Sequence, residues 1–331
     1  MFGYPCRLEG LEMRMKGTLA ISVLLAASAI VSVSSNALAK AGDDEAAGSW
    51  SFTTDRPIKT VLVGGSVAAF TGGGFADQLQ GACANVEIVN LAKARLGAAA
   101  IRTRFHMQVL QNPNLADWRN GAGERWAMVL GGLNSVGNPE QTNANVLGIY
   151  HAAHDAGLKV VGLTLGPWGD DSDKRWAGFA GIRRQDNTRR AADFVMGRLT
   201  PTAALGKMAA GQSTWKTGDL PDVAVDLYDS ELRDSTATTR PEAPLAARID
   251  SDPEVTKMLE AVPAGSRASE RARILKQAVE IPRWYLRKDL RSFDHIHPNR
   301  EGHRVIAAQI CKKAPASWGC DCAKLAASVR R

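Results

Sequence analysis

Short apolar runs alternate with helix-forming sequence along this chain, and that alternation limits the fold more than any other feature. Thr60 to Val63 ends in Gly64-Gly65, Val86 to Leu91 follows, Trp126 to Leu130 ends in Gly131-Gly132, and Val160 to Leu165 is the fourth. Each run suits a strand buried on both faces. Between the third and fourth runs, Asn143 to Ala156 places Val146, Ile149, Tyr150 and Ala153 on one helical stripe. Gly157 then stands where a left-handed helix end belongs. A fifth run, Val223 to Leu227, comes after the long stretch 169–218. Strand and helix alternating through short connections predict an α/β fold, a parallel sheet covered by helices on both faces, with ligands at the carboxyl ends of the strands.

The composition agrees. With 331 residues, 45% hydrophobic and 23% charged, the chain has enough apolar surface for a sizeable core without metal or disulfide support. A net charge of +7, dispersed and accompanied by 6% aromatics, does not mark a nucleic-acid partner. Segments 169–218 and 229–282, rich in Arg, Asp, Ala and Pro, read as helical insertions on the sheet. In Ser269 to Val279, for example, Ile274, Leu275, Ala278 and Val279 face inward. The basic stretches Arg183 to Arg198 and Arg267 to Lys276 read as solvated helix faces.

The first 39 residues read as a secretory signal. Arg14 and Lys16 precede an uncharged apolar run, Thr18 to Val33, which ends in Asn36-Ala37-Leu38-Ala39, and cleavage is expected after Ala39. The alternative, an uncleaved membrane anchor, meets the objection that the strongly apolar part is short for a layer of about 30 Å. Residues 40–57 read as a polar tether, 58–315 as the folded domain and 316–331 as a C-terminal tail. A secreted or periplasmic location follows, and it permits disulfides among Cys83, Cys311, Cys320 and Cys322. Their spacing lacks the paired C-x₂-C of zinc knuckles.

Near the C-terminus stands Asp294-His295-Ile296-His297-Pro298-Asn299-Arg300-Glu301-Gly302-His303. This D-x-x-H-P-N-x-x-G-H segment resembles the last block of the SGNH (GDSL-type) esterases and acyl hydrolases. Three earlier segments, in order and each at a strand end, resemble the family's other blocks: Val63 to Ser66, Asn90 to Gly97, and Gly131 to Asn134. The resemblance implies a three-layer α/β/α fold with a five-stranded sheet in the flavodoxin-like order 2-1-3-4-5. It implies Ser66 as nucleophile, His297 as base and Asp294 as the acid that orients it. It also implies an oxyanion hole from the N–H groups of Ser66 and Gly97 and the side-chain amide of Asn134.

Those residue types suit the chemistry. A serine hydroxyl is a weak nucleophile until a base takes its proton, an imidazole serves near neutrality, and a carboxylate on the far ring nitrogen fixes its tautomer. Two positions depart from the family pattern, Gly65 before the serine and Ser135 after the asparagine, where the family usually has Asp. Trp168, in Pro167-Trp168-Gly169 at the end of the fourth strand, is expected to be either a wall of the substrate site or a plain core aromatic. His295 and His303 are expected to play supporting or structural parts, and His151 and His154 to lie on a polar helix face.

The implied activity is hydrolysis of a carboxylic ester, with a short acyl group and an ester-bearing small molecule or acylated glycan as partner. No cofactor or metal is implied. A non-catalytic glycan-binding protein on the same scaffold and an O-acyltransferase using the same residues are the alternatives. In the expected strand order the first and last helices are neighbours on one face, which predicts a Cys83–Cys311 disulfide and leaves Cys320 to Cys322.

Overall fold

The computed structural model describes residues 50–173, 175–237 and 239–326. The expected secretory segment, most of the tether and the last residues of the tail lie outside them.

Five strands, β1 (Ile58–Gly64), β2 (Val86–Asn90), β3 (Arg125–Leu130), β4 (Lys159–Leu163) and β5 (Val223–Val225), form one all-parallel sheet in the order β2-β1-β3-β4-β5. This is the expected α/β architecture and order. Alternation of side chains along each strand divides the core in two. Leu62, Met128, Leu130, Val161 and Leu163 point to one face, where they meet helices α1 (Phe75–Ala82) and, late in the chain, α6 (Arg300–Lys313). Val61, Val63, Ala127, Val129 and Val160 point to the other, against α2 (Ala98–Phe105), α3 (Pro139–Asp155) and the end of α4 (Phe179–Val195). Ile149, Tyr150 and Ala153 of the predicted α3 stripe are fully buried there and Val146 nearly so.

Strands β4 and β5 stop two residues earlier than their apolar runs suggest. The side chain of buried Thr164 intervenes: its Oγ1 accepts the N–H groups of Leu227 (2.7 Å) and Tyr228 (3.0 Å), so the ladder gives way to a side-chain bridge. A separate small core joins Phe179 and Ile182, at the start of α4, to Leu245, Ile249, Val255 and to Ile274 and Ala278 of α5 (Arg267–Glu280). Leu275 and Val279 pack against it, partly buried. Among the described residues no helix is long and apolar enough to cross a membrane.

The disulfide pairing differs from expectation. The structure joins Cys83 to Cys320 and Cys311 to Cys322, in place of Cys83–Cys311 and Cys320–Cys322. Helices α1 and α6 do pack side by side, and the sulfurs of Cys83, Cys311 and Cys320 lie within 4.8 Å of one another, so proximity of the helices alone does not choose a partner. The choice is made after α6. The chain turns at Pro315 and returns antiparallel along the end of α1, with Ala84 donating to the Gly319 carbonyl (3.1 Å) and Asp321 to that of Ala82 (2.9 Å). Cys320 therefore faces Cys83, and Cys322 reaches back to Cys311. Residues 316–326, expected as a tail, carry Trp318 and Leu325 into the core, where Trp318 meets Trp126 edge to face at 5.6 Å.

Non-reducing peptide mapping is expected to recover Cys83 linked to Cys320 and Cys311 linked to Cys322. Because Cys83–Cys320 closes a loop of 237 positions, replacing both of its cysteines by serine is expected to lower unfolding stability by about 2–4 kcal/mol in denaturant titration.

Candidate active site

The site forms at the carboxyl ends of the central strands. Ser66 follows β1 by two residues, in a turn where the Ala69 N–H bonds the Gly65 carbonyl (3.0 Å). Asn90, at the end of β2, braces that turn: its amide donates to the Ala68 carbonyl at 2.8 Å, and its Oδ1 accepts the Ala92 N–H at 3.0 Å.

His297 and Asp294 share a tight loop before α6. The loop is closed by a bridge between Arg291 and Pro298 and by the Ser292 N–H on the His297 carbonyl (2.8 Å). Asn299 caps α6 through Gly302 (2.9 Å) and ties back to the Asp289 carbonyl (2.8 Å). Asp294 Oδ1 accepts the N–H groups of Ile296 and His297, both at 3.0 Å, while Oδ2 accepts His297 Nδ1 at 2.5 Å. Partial burial pushes the Asp294 carboxyl up, but these donors outweigh it and hold the group ionised below its ordinary value. A proton on Nδ1 leaves Nε2 as an acceptor, and Ser66 Oγ donates to it at 2.7 Å. Ser66, His297 and Asp294, expected together from sequence, form one chain of contacts through the imidazole.

Of the two remaining oxyanion candidates, Asn134 lines the cavity at Ser66, and Gly97 directly follows Leu96, which lines it too. Gly97 is the residue before α2, at a helix N-terminus whose first N–H groups have no acceptor within the helix. A Cβ there would stand 3.1 Å from that of Ser135, so the close approach of the two loops favours glycine. Asn134 follows Gly132, whose φ of +117° places it in the left-handed region. One N–H of the Asn134 amide donates to the Leu96 carbonyl (3.1 Å), which orients the group and leaves the other N–H for a ligand. Ser135, one of the two departures from the family pattern, ties these loops together: its Oγ accepts the Ala98 N–H and donates to the Gly132 carbonyl, each at 3.0 Å. At Gly65, the other departure, a Cβ would make only ordinary contact with Leu96 O at 3.4 Å.

Beside Ser66 lies a cavity of about 40 Å³ walled by apolar side chains, among them Leu130, Leu165, Leu227, Leu286 and Ile306. Trp168 lines it while only 3% exposed, its indole N–H donating to Thr188 Oγ1 at 2.9 Å. It is thus a wall residue and a core residue at once. His303 is buried and stacks on Phe70 at 4.6 Å between ring centres; burial, with a smaller push from His297, lowers its pKa to about 4, so it is neutral. His151 and His154 pair with separate acids, Asp219 (2.8 Å) and Asp222 (3.0 Å).

Sequence reasoning missed the clamp on the His297 loop. The segment after Trp168 holds it from outside: Gly169 N–H donates to the His295 carbonyl (2.7 Å), Arg175 to the Asp294 carbonyl (3.1 Å), and Asp170 pairs with Arg291. Asp173 binds Arg175 at 2.5 Å and lies 3.5 Å from His295 Nδ1. His295 itself is held at φ +62°. The signal was the run Asp170-Asp171-Ser172-Asp173, met by the nearby Arg175 and by the distant Arg283 and Arg291, a pattern without periodicity.

Comparison with known proteins gives a fold-level likeness only. No family model matches the chain. No curated protein matches it either. Among solved structures, a GDSL-like lipase from Bacteroides thetaiotaomicron is 12% identical, with a TM-score of 0.44 over 80% of this chain and 92% of that one. A member of the lipolytic G-D-S-L family from Veillonella parvula is 11% identical, with a TM-score of 0.40 over 77% and 97%. An acetyl xylan esterase variant from Geobacillus stearothermophilus is 11% identical, with a TM-score of 0.39 over 80% and 95%. At these values the chemistry has to be read from the chain's own side chains. The strand order 2-1-3-4-5, with a serine after β1 touching a histidine before the last sheet helix, is the arrangement that the resemblance to SGNH hydrolases implies.

Hydrogen bonds from Arg175 bring Asp173 down to about 2; at Asp170 burial opposes, but Ser172 and Arg291 prevail and the value is again about 2. Both lie below the roughly 3.9 of an unfolded aspartate. The stabilisation they give is therefore complete above pH about 4 and is lost as pH falls through about 2. Acid titration followed by circular dichroism is expected to show Asp170→Asn and Asp173→Asn less stable than wild type at neutral pH, with the gap closing toward pH 2.

Proposed function

We propose that this protein is an exported serine ester hydrolase of SGNH type that cleaves short-acyl carboxylic esters. The observation that carries the proposal is the continuous contact from Ser66 Oγ through His297 to Asp294, with distances of 2.7 and 2.5 Å. His297 Nε2 takes the hydroxyl proton as Ser66 Oγ attacks the ester carbonyl. The negative charge of the tetrahedral intermediate falls to the N–H groups of Ser66 and Gly97 and the free amide N–H of Asn134. His297 then returns the proton to the departing alcohol oxygen. Water, activated by the same imidazole, attacks the acyl-enzyme and releases the acid.

The apolar cavity beside Ser66 favours a small acyl group, since its 40 Å³ is well under the roughly 150 Å³ that takes a benzene ring. The bridge that Ser135 builds between the Gly97 and Asn134 loops supports activity in spite of the missing family acid, because the donors are oriented by other means. Two disulfides suit an oxidising compartment and hence export.

A fluorophosphonate probe is expected to label Ser66, with labelling lost in Ser66→Ala and His297→Ala. In a series of aryl esters from acetate to palmitate, turnover is expected to peak at the short end. Asn134→Ala is expected to lower kcat by about 10²–10³ with folding intact by circular dichroism. Absence of labelling and turnover in the wild-type protein would overturn the hydrolase reading.

A further inference from the structure

A second cavity adjoins the first. It measures about 130 Å³, is more open, and shares Leu133, Asn134, Trp168 and Ile296 with the apolar cavity beside Ser66. Its own walls add Trp176 and Arg184. No acidic side chain lines either cavity, and Arg184 is the charged residue of the pair.

The state of Arg184 is what gives this cavity a preference. Arginines near it in the chain have partners: Arg183 pairs with Glu254, Arg175 with Asp173, and Arg189 with Asp186. On α4 the positions three and four residues away from Arg184 are Ala180, Gly181, Asn187 and Thr188, none of them acidic. Among the described residues its guanidinium makes no ion pair or hydrogen bond; it rests 5.5 Å from the centre of the Trp176 ring. Trp176 is itself held edge to face against Trp168 at 4.9 Å. The cation is thus presented at the mouth of the cleft on an aromatic support, with its donors unspent.

We propose that this cavity is the leaving-group subsite and that Arg184 selects esters whose alcohol part carries a carboxylate, as in an O-acylated acidic sugar. The inference rests on the hydrolase reading above. With the acyl group in the apolar cavity and the carbonyl oxygen at Asn134, the alcohol side has the adjoining, wider cavity to occupy. A carboxylate there meets a guanidinium with free N–H groups and no competing acid. A neutral alcohol gains nothing from it.

The test compares two acetates of equal acyl group, 4-nitrophenyl acetate and 3-carboxy-4-nitrophenyl acetate, on wild type, Arg184→Glu and Arg184→Lys. The expected result is a fall of about fivefold in the ratio of kcat/KM for the carboxylated over the neutral ester in Arg184→Glu, carried mainly by KM, with most of the ratio kept in Arg184→Lys. In the wild-type protein the ratio should decline as salt is raised, and in Arg184→Glu it should not. A second arm needs no turnover: saturation-transfer NMR on Ser66→Ala with methyl glucuronoside and methyl glucoside should favour the acid, and adding Arg184→Glu should remove the preference. A ratio insensitive to Arg184 and to salt, or equal NMR signals from the two sugars, overturns the subsite. Loss of all ester turnover and of fluorophosphonate labelling, with the sugar preference intact, overturns the hydrolase reading and leaves the anionic subsite standing.

Discussion

The contact between Ser66 Oγ and His297 Nε2 joins residues 231 positions apart, and it exists because β1 lies inside the sheet. Hydrogen bonding of β1 to β2 on one side and β3 on the other puts the turn after Gly64 at the centre of the carboxyl edge. Helix α6, seated beside α1 on one face, brings its preceding loop to the same edge. The loops after β2 and β3 flank that point and supply Gly97 and Asn134. Were β1 an edge strand, the serine would have neighbours on one side only, and Gly97, Asn134 and His297 could not converge on it.

Convergence has to be held within a fraction of an ångström to be useful in catalysis, and the fold holds it with polar contacts in layers. Asp294 pins its own loop through two backbone N–H groups as well as the His297 ring. Asn299 ties the loop to α6, and Gly169, Asp170 and Arg175 hold it from the opposite side. Across the cleft, Ser135 joins the loops that carry Gly97 and Asn134. A single hydroxyl there does structural work for which the family pattern suggests a carboxylate. The C-terminal return, fastened by Cys83–Cys320 and Cys311–Cys322, locks the far end of α6 to the end of α1.

Much of this was legible in the chain. Uninterrupted apolar runs marked strands buried on both faces, and the i, i+3, i+4, i+7 stripe around Ile149 marked α3. The short spacing from Asp294 to His297 marked an acid and a base in one loop, since a few residues fix their geometry whatever the rest does. Strand ends were less legible. Thr164 looks like an ordinary strand residue, and only in three dimensions does its hydroxyl end two strands by taking the N–H groups of Leu227 and Tyr228. Trp168 looked like a wall or a core aromatic, and it is both, because its ring closes the cavity while its N–H is spent on Thr188.

The sequence by itself determined the layers, the strand order its motifs imply, and that Ser66, His297 and Asp294 belong together at one edge of the sheet. Periodicity and short spacings are local properties, set by backbone geometry over a few residues. Only the tertiary structure decided which cysteines pair, how Arg291, Arg175 and Arg183 divide between Asp170, Asp173 and Glu254, and that Arg184 meets none of these acids. Those outcomes depend on where the chain turns after α6 and on which long side chains meet across loops, as Arg291 and Asp170 do from segments more than a hundred residues apart. Such meetings leave no period in the sequence, because the distance along the chain bears no relation to the distance in space.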